Sequence, residues 1–235
     1  MSNKFFRFKQ FTVWHDRCAM KVGTDGVLLG AWCPVHRTPY TIHYLDIGTG
    51  SGLIALMLAQ RCPEANIDAI DIDADAVLQA QANFEASPWK ERLHVHLAPL
   101  QEWNGTYDLI VSNPPYFNDS LKNPDRQRQT ARHTDSLGYG ELVHHAARLL
   151  APDGMLALIL PAEAEETIIA QAAAEGLFPT RLTQVCSKPG KPAKRILAAF
   201  AKNCSGVCER TTFCIESATS PRSEEYSRLT QDFYL

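Results

Sequence analysis

The stretch Leu45-Asp46-Ile47-Gly48-Thr49-Gly50-Ser51-Gly52 predicts a sharp turn between a strand and a helix. Residues 43–47 resemble a buried strand, and residues 51–62 carry apolar side chains at a helical spacing. Gly48, Gly50 and Gly52 let the backbone turn tightly and approach a ligand, because no Cβ fills the space that the ligand needs. A nucleotide-like ligand is therefore expected across this turn.

The alternation of strands and helices continues along the chain and predicts the fold class. Strands are predicted at 67–72, 93–97, 107–112, 155–160, 181–185 and 195–200, with a further strand at 212–216. Helices are predicted at 74–86, 139–150 and 162–175. Such alternation implies right-handed crossovers and a sheet covered on both faces. We therefore predict an α/β, Rossmann-like, doubly wound fold with a mostly parallel sheet. Before it, residues 5–14 look like a strand or hairpin, and Thr24 or Asp25 suits the N-cap of a helix over 27–32.

Composition excludes several classes of protein. A length of 235 residues allows one large domain, and no apolar run approaches the roughly 18 residues that cross a bilayer. The seven cysteines are odd in number and scattered, which indicates neither a disulfide framework nor a zinc site. No leader-like segment opens the chain. We expect a cytoplasmic protein without metal and without a membrane partner.

Charge is distributed unevenly although the net charge is only −3. Residues 45–110 hold ten acids and three bases, residues 1–21 hold five bases and one acid, and residues 186–202 hold five bases and no acid. Two basic segments flanking an acidic middle are typical of a polyanion-binding face, but they are equally compatible with ordinary solvated surfaces.

Two acids at strand ends indicate the chemistry of the cofactor. After Gly48 and Gly50 the third glycine of a dinucleotide fingerprint would fall on Leu53, which disfavours NAD. A carboxylate at Asp46 suits a cofactor with an ammonium group and no phosphate, such as S-adenosyl-L-methionine. Asp71 ends the next strand, 19 residues beyond Gly52, where a carboxylate can accept both ribose hydroxyls. The alternative is that both acids are solvated.

The motif Asn113-Pro114-Pro115-Tyr116 follows a strand that ends at the same edge of the predicted sheet. Each proline holds the residue before it extended, so the Asn113 side-chain oxygen and the Pro114 carbonyl can both accept from one planar amino group. Tyr116 offers a face for stacking a base, worth roughly 1 to 3 kcal/mol. A rigid proline turn without function is the alternative.

These motifs resemble those of the class I methyltransferases that act on planar amines of adenine, guanine or glutamine. Longer segments are similar to the bacterial valine-tRNA adenine-37 N6-methyltransferase family, among them residues 8–11, 15–26, 29–32, 87–89 and 229–235. The resemblance implies S-adenosyl-L-methionine as donor, adenine beside the anticodon as target, catalytic roles for residues 113–116, and cofactor contacts by Lys21 and Thr24. It departs at Ala98-Pro99-Leu100, where an acid usually binds the cofactor adenine, so a backbone carbonyl or Gln101 is expected to substitute.

The resemblance also implies a tRNA partner and the groups that hold it. The expected RNA contacts are Phe117, the basic residues of the long loop at 118–135, a basic segment near the C-terminal part, and the N-terminal bases, because backbone phosphates dominate such affinity. The residues concerned are Arg126, Arg128 and Arg132, then Lys191, Lys194 and Arg195, and finally Lys4, Arg7 and Lys9. A monomer is expected.

The predicted organisation has three parts: an extension at 1–40 packed on the core, the methyltransferase domain at 41–202, and a strand and tail of that domain at 203–235.

Two other functions stay open from the motifs. A glutamine N5-methyltransferase acting on a release factor would share Asn-Pro-Pro-Tyr, although an N-terminal helical domain is then expected. A non-catalytic RNA-binding module that retains the cofactor is the other. A DNA adenine methyltransferase would need a separate target-recognition region.

Overall fold

The structure is a computed structural model and describes residues 3–18, 20–35, 42–115, 137–203 and 206–235. Its helices are α1 (Thr24–Trp32), α2 (Leu53–Arg61), α3 (Ala74–Glu85), α4 (Tyr139–Leu149), α5 (Glu165–Ala174) and α6 (Glu224–Thr230). Its strands are β1 (Phe5–Arg7), β2 (Thr12–Trp14), β3 (Ile42–Ile47), β4 (Ala65–Asp71), β5 (Leu93–Leu97), β6 (Tyr107–Ser112), β7 (Leu150–Pro161), β8 (Phe178–Cys186), β9 (Ala193–Ala201) and β10 (Glu209–Cys214).

Eight strands form one central sheet in the order β10-β8-β9-β7-β6-β3-β4-β5. Every neighbouring pair is parallel except the two pairs that contain β9, which runs antiparallel to β7 and β8. The mostly parallel sheet that the sequence predicted is therefore confirmed. β1 and β2 form a separate antiparallel hairpin, as the aromatic alternation of residues 5–14 suggested.

Apolar side chains bury both faces of the sheet. One core cluster contains Leu28 of α1, Met57 of α2 and Phe84 of α3, together with the hairpin residues Phe8 and Val13. A second cluster packs α4 and α5 against the opposite face. Because helices cover both faces, the doubly wound arrangement is confirmed.

The carboxyl ends of β3, β4 and β6 meet at one edge of the sheet, as parallel strands require. Since β9 runs the other way, it begins at this edge, with Arg195 beside Pro161 at the end of β7. Residues 187–192, which connect β8 to β9, lie at the same edge. The glycine turn, the Asn-Pro-Pro motif and part of the basic segment are thereby brought to one side of the molecule.

Two local expectations differ from the structure, and one helix is absent from the sequence-based prediction. α1 begins at Thr24 with Gly23 as its N-cap and without a side-chain cap, so the expected capping by Thr24 or Asp25 is wrong. The last strand covers Glu209–Cys214 instead of 212–216. α6 was not expected at all, although Ser223 caps it by accepting from the Tyr226 amide at 3.0 Å. In the described part of the chain, no helix combines the length and the apolar character that crossing a bilayer requires.

Candidate active site

A cavity of about 290 Å³ opens at the carboxyl edge, between the glycine turn and the Asn-Pro-Pro motif. Gly48, Gly50 and Asp71 form one side of it, and Asn113, Pro114 and Pro115 form another. The cavity lies where open α/β sheets bind their ligands. The structure thus brings the two sequence motifs together around one space.

The glycine turn depends on left-handed backbone conformations. Gly48, Gly50 and Gly52 have φ angles of 68°, 54° and 79°. A Cβ on Gly52 would lie 2.5 Å from Cε1 of Phe84, a buried core residue, so no side chain fits there. Gly52 is also the N-cap of α2, so the turn leads directly into that helix. At Gly48 and Gly50 the cavity wall is backbone alone, and Asp71 completes this side.

Asp71 ends β4 and lines the cavity, and its binding of the ribose hydroxyls stays a prediction. Its Oδ2 accepts from the Gly50 amide at 2.9 Å, and its Oδ1 accepts from the Asp73 amide at 3.0 Å. Each carboxylate oxygen has two lone pairs, so both oxygens keep the capacity for one more hydrogen bond. The two backbone bonds orient the carboxylate while leaving it able to bind a pair of hydroxyls.

Asp46 has a different environment, which the sequence did not reveal. It is fully buried and lies outside the residues that line the cavity. Its Oδ2 accepts from the Thr49 hydroxyl at 2.7 Å and from the Ala55 amide at 3.3 Å, so it ties the turn to the start of α2. Its Oδ1 has no hydrogen-bond partner among the described residues. Burial raises the pKa of this carboxyl to about 7. A contact with a cofactor ammonium stays a prediction.

The Asn-Pro-Pro motif is anchored through the strand that precedes it. The Ser112 hydroxyl donates to the Ile47 carbonyl at 2.9 Å, which joins the end of β6 to the end of β3 beside the glycine turn. Pro114 is buried, whereas Asn113 is half-buried and lines the cavity. The predicted partners Tyr116 and Phe117 lie outside the described residues.

Other residues of the cavity wall carry no signal in the sequence. Cys18 and Met20 line the cavity from the segment that follows the hairpin, and Ile72 lines it from the end of β4. Met20 and Ile72 are 58% and 59% exposed, so both present apolar surface at the mouth of the cavity. Burial, with Asp71 and neighbouring carboxylates, raises the pKa of Cys18 to about 11, so the thiol stays protonated. No periodicity marks these residues.

The other residues that the sequence assigned to the cofactor differ in whether they line the cavity. Among the described residues that line the cavity, Lys21 and Thr24 do not occur, and both side chains are exposed. Ala98 and Gln101 do line it, at the place where an acid was expected. The Gln101 amide donates to Glu141 of α4 at 2.7 Å, so this side chain is held at the cavity edge. The roles of all four residues stay predictions.

The basic residues predicted to hold RNA divide into four groups. The N-terminal Lys4, Arg7 and Lys9 are exposed, and the Lys9 ammonium donates to the Gln231 carbonyl at 2.5 Å. Lys191 and Lys194 are exposed near the carboxyl edge. Arg195 forms an ion pair with Asp25 of α1, with Nε and Oδ2 3.0 Å apart, so it is engaged within the protein. The loop residues Arg126, Arg128 and Arg132 lie outside the described residues. Within the described ranges, no three His, Cys, Asp or Glu side chains come together as a metal site.

Comparisons with known proteins show that the chain is similar to methyltransferases. Residues 34–173 match the methyltransferase small domain family. Over its whole length the chain is 52% identical to a protein of Phocaeicola vulgatus and 50% identical to one of Parabacteroides distasonis, covering 99% of each. A protein of Aeromonas salmonicida is 47% identical over 99% of the chain and 98% of its own length. All three are named tRNA1(Val) (adenine(37)-N6)-methyltransferase.

Solved structures with a similar fold are more distant in sequence. A predicted O-methyltransferase of Agrobacterium tumefaciens superposes with a TM-score of 0.70 at 18% identity, covering 89% of this chain and 96% of that one. TrmN of Thermus thermophilus gives a TM-score of 0.51 at 21% identity, covering 70% of this chain and 45% of its own. At such identities the likeness supports the fold alone.

Proposed function

The chain belongs to the methyltransferase small domain family, and we propose that it methylates N6 of adenine 37 in valine tRNA with S-adenosyl-L-methionine as donor. One observation carries this proposal: the glycine turn with Asp71 and the Asn113-Pro114 motif face the same cavity. A cofactor on the first wall and a planar amine on the second would then lie side by side. The similarity to the tRNA methyltransferases named above supplies the identity of the nucleic acid.

The residues present fit the cofactor. The remaining lone pairs of Asp71 suit the two ribose hydroxyls, and the backbone of Gly48 and Gly50 leaves room for the methionine part. Met20 and Ile72 supply apolar surface for a purine ring. When bound, the cofactor supplies a sulfonium methyl group that a nucleophile can accept. Asp46 supports this site mainly through the turn that it holds, since both bonds of its Oδ2 stay within residues 49–55.

Positioning of the amine provides most of the catalysis. The Asn113 side-chain oxygen and the Pro114 carbonyl accept hydrogen bonds from the two N–H groups of the N6 amine. These bonds draw electron density onto the nitrogen. The lone pair of a planar amine is delocalised, so its alignment with the methyl group matters more than a strong base. Pro115 keeps this geometry rigid. Tyr116 and Phe117 are proposed to stack on the target base.

The tRNA backbone is proposed to lie across the carboxyl edge. Adenine 37 has to leave its stack to reach Asn113, so the enzyme needs a grip on the flanking phosphates. Lys191 and Lys194 supply cations on one side of the cavity, and the loop with Arg126, Arg128 and Arg132 follows the Asn-Pro-Pro motif directly in the chain. Arg195 contributes less directly, because it is paired with Asp25.

The assembly and organisation are proposed to be simple. One copy supplies every group named above, so a monomer suffices for the reaction. The extension at 1–40, the methyltransferase domain at 41–202 and the tail at 203–235 would act as one unit. We place the protein in the cytoplasm, where its tRNA substrate is found.

Transfer of a tritiated methyl group tests the proposal. Purified protein is incubated with labelled S-adenosyl-L-methionine and valine tRNA transcripts that carry adenosine or inosine at position 37, with total protein as a separate acceptor. We expect label on the adenosine transcript alone, because inosine has no exocyclic amine. Label on protein would instead support the glutamine methyltransferase. Cofactor and tRNA binding without transfer would support the non-catalytic module.

A further inference from the structure

The segment that joins the hairpin to α1 forms a wall of the cofactor cavity without belonging to a helix or strand. Cys18 and Met20 reach the cavity from this segment, and Asp73 and Ala76 reach it from the start of α3. Such a segment keeps its place only if its backbone groups are bonded to something rigid. His15 binds the Asn3 carbonyl and the Val22 amide, and α3 supplies the bonds on either side of it, at Trp14 and Arg17.

Two buried amide side chains of α3 bind the backbone of this segment. The Trp14 amide donates to Asn83 Oδ1 at 2.9 Å, and Asn83 Nδ2 donates back to the Trp14 carbonyl at 2.8 Å. The Arg17 amide donates to Gln79 Oε1 at 3.2 Å. Gln79 and Asn83 are 4% and 1% exposed, so the side-chain end of each bond is buried, although Trp14 and Arg17 are exposed.

The spacing of the two amides sets the direction of the segment. Positions four apart on a helix lie on one face, one above the other. Trp14 is bound at residue 83 and Arg17 at residue 79, so the chain runs along α3 toward the helix start, where Cys18 meets the cavity. Asn83 Nδ2 also donates to the Ser51 carbonyl at 2.8 Å, in the glycine turn. One side chain therefore joins two walls of the same cavity.

The geometry points to Gln79 and Asn83 as positioning residues for the cofactor: they hold residues 14–18 as a fixed wall, so that S-adenosyl-L-methionine binds a preformed site. This inference rests on the proposed function for the identity of the cofactor. Neither side chain lines the cavity, so both act through Cys18, Met20 and the glycine turn. Without them, cofactor binding has to order the segment first, which weakens affinity.

The test compares Gln79→Ala with Gln81→Ala, a matched change on the same helix. Gln81 is exposed and bonds only to Glu85 in the structure as described, so its loss leaves the segment held. Calorimetry with S-adenosylhomocysteine should give a dissociation constant about five- to tenfold higher for Gln79→Ala and unchanged for Gln81→Ala. At saturating cofactor kcat should stay near the wild-type value while the KM for the cofactor rises.

Proteolysis reports on the segment itself. Arg17 and Lys21 are trypsin sites within or next to it. Cleavage at these two bonds should be several-fold faster in Gln79→Ala than in wild type and Gln81→Ala at equal melting temperature. S-adenosylhomocysteine should restore protection. Gln79→Glu keeps an acceptor for the Arg17 amide and should return both affinity and protection toward wild type.

Gln79→Ala decides whether the inference holds. Wild-type affinity together with wild-type cleavage in this variant would overturn it. Asn83→Ala loses three bonds at once and can unfold the protein, so its melting curve must first show a folded chain. In a folded Asn83→Ala variant, the dissociation constant and the cleavage rate should both rise more than in Gln79→Ala. If wild type itself does not bind S-adenosylhomocysteine, the proposed function fails, and the cleavage comparison still decides whether Gln79 holds the segment.

Discussion

The two halves of the carboxyl edge differ in both charge and shape. On one side of Asn113, the ends of β3 and β4 border a concave cavity that Asp71 lines. On the other side, the connection from β8 to β9 carries exposed lysines. The concave half offers fixed hydrogen-bond acceptors for a small cationic cofactor, whereas the second half offers exposed lysine cations for a polyanion. The reacting amine is expected to lie where the two halves meet.

This difference means that the two halves respond to different experiments. Bonds to Asp71 lie inside a cavity and depend on geometry. Cations at the surface act through screened Coulomb attraction, which falls with ionic strength. Substitutions in one half should therefore change cofactor affinity, and substitutions in the other should change the salt dependence of RNA binding.

The largest effect is expected at the junction. Asn113→Ala removes the side-chain oxygen that positions the amine, so turnover should fall roughly a hundredfold or more. Cofactor affinity should change little. Single-turnover methylation of tRNA measures the first quantity, and calorimetry with S-adenosylhomocysteine measures the second. Turnover close to wild type would show that the Pro114 carbonyl suffices.

The cofactor half is tested by Asp71→Ala. This change removes two charge-assisted hydrogen bonds, each worth about 1.5 to 3 kcal/mol, and the loss of even one of them should raise the dissociation constant of S-adenosylhomocysteine at least about tenfold. Asp75→Ala is the control, because Asp75 is an exposed acid of the first turn of α3 outside the cavity lining. Equal effects in both variants would mean that overall charge matters and a ribose contact does not.

The basic half is tested by Lys191→Glu together with Lys194→Glu. Arg195 is left intact because its ion pair with Asp25 joins β9 to α1. Filter binding over a salt series should show weaker tRNA binding. The slope of the logarithm of the binding constant against the logarithm of the salt concentration should become shallower by about 0.7 to 0.9 for each phosphate that the variant no longer neutralises. Lys90→Glu serves as control, since Lys90 precedes β5 at the opposite edge. A slope equal to that of wild type would place the RNA elsewhere.

The smallest effect concerns Asp46 and pH. Its pKa is raised to about 7 in the folded protein, above the usual value of 3.8, so the folded state binds the proton more tightly than the unfolded state. This contribution to stability is complete below about pH 4 and is lost as pH rises through 7. Asp46→Asn should remove that loss. Melting temperatures of both proteins without cofactor, from pH 4 to 8, should differ in slope, and parallel curves would contradict the raised pKa.

Several elements could be predicted because their signals are local. The glycine turn followed from Gly48, Gly50 and Gly52, whose φ angles are all positive. The position of Asn113 followed from the apolar strand before it and the prolines after it. Cys18 and Met20 could not be predicted, since they reach the cavity through bonds between residues more than 60 positions apart. α6 was missed because its seven residues give too short a periodic signal.

The sequence by itself determined the class of sheet, the location of the turn and the chemistry of the acids at the strand ends. Only the tertiary structure decided what each acid does. Asp46 and Asp71 look alike along the chain, but the packing of α2 buries Asp46 beneath the turn while Asp71 opens onto the cavity. Burial depends on which element covers a side chain, and that is fixed by long-range packing, which no local pattern contains.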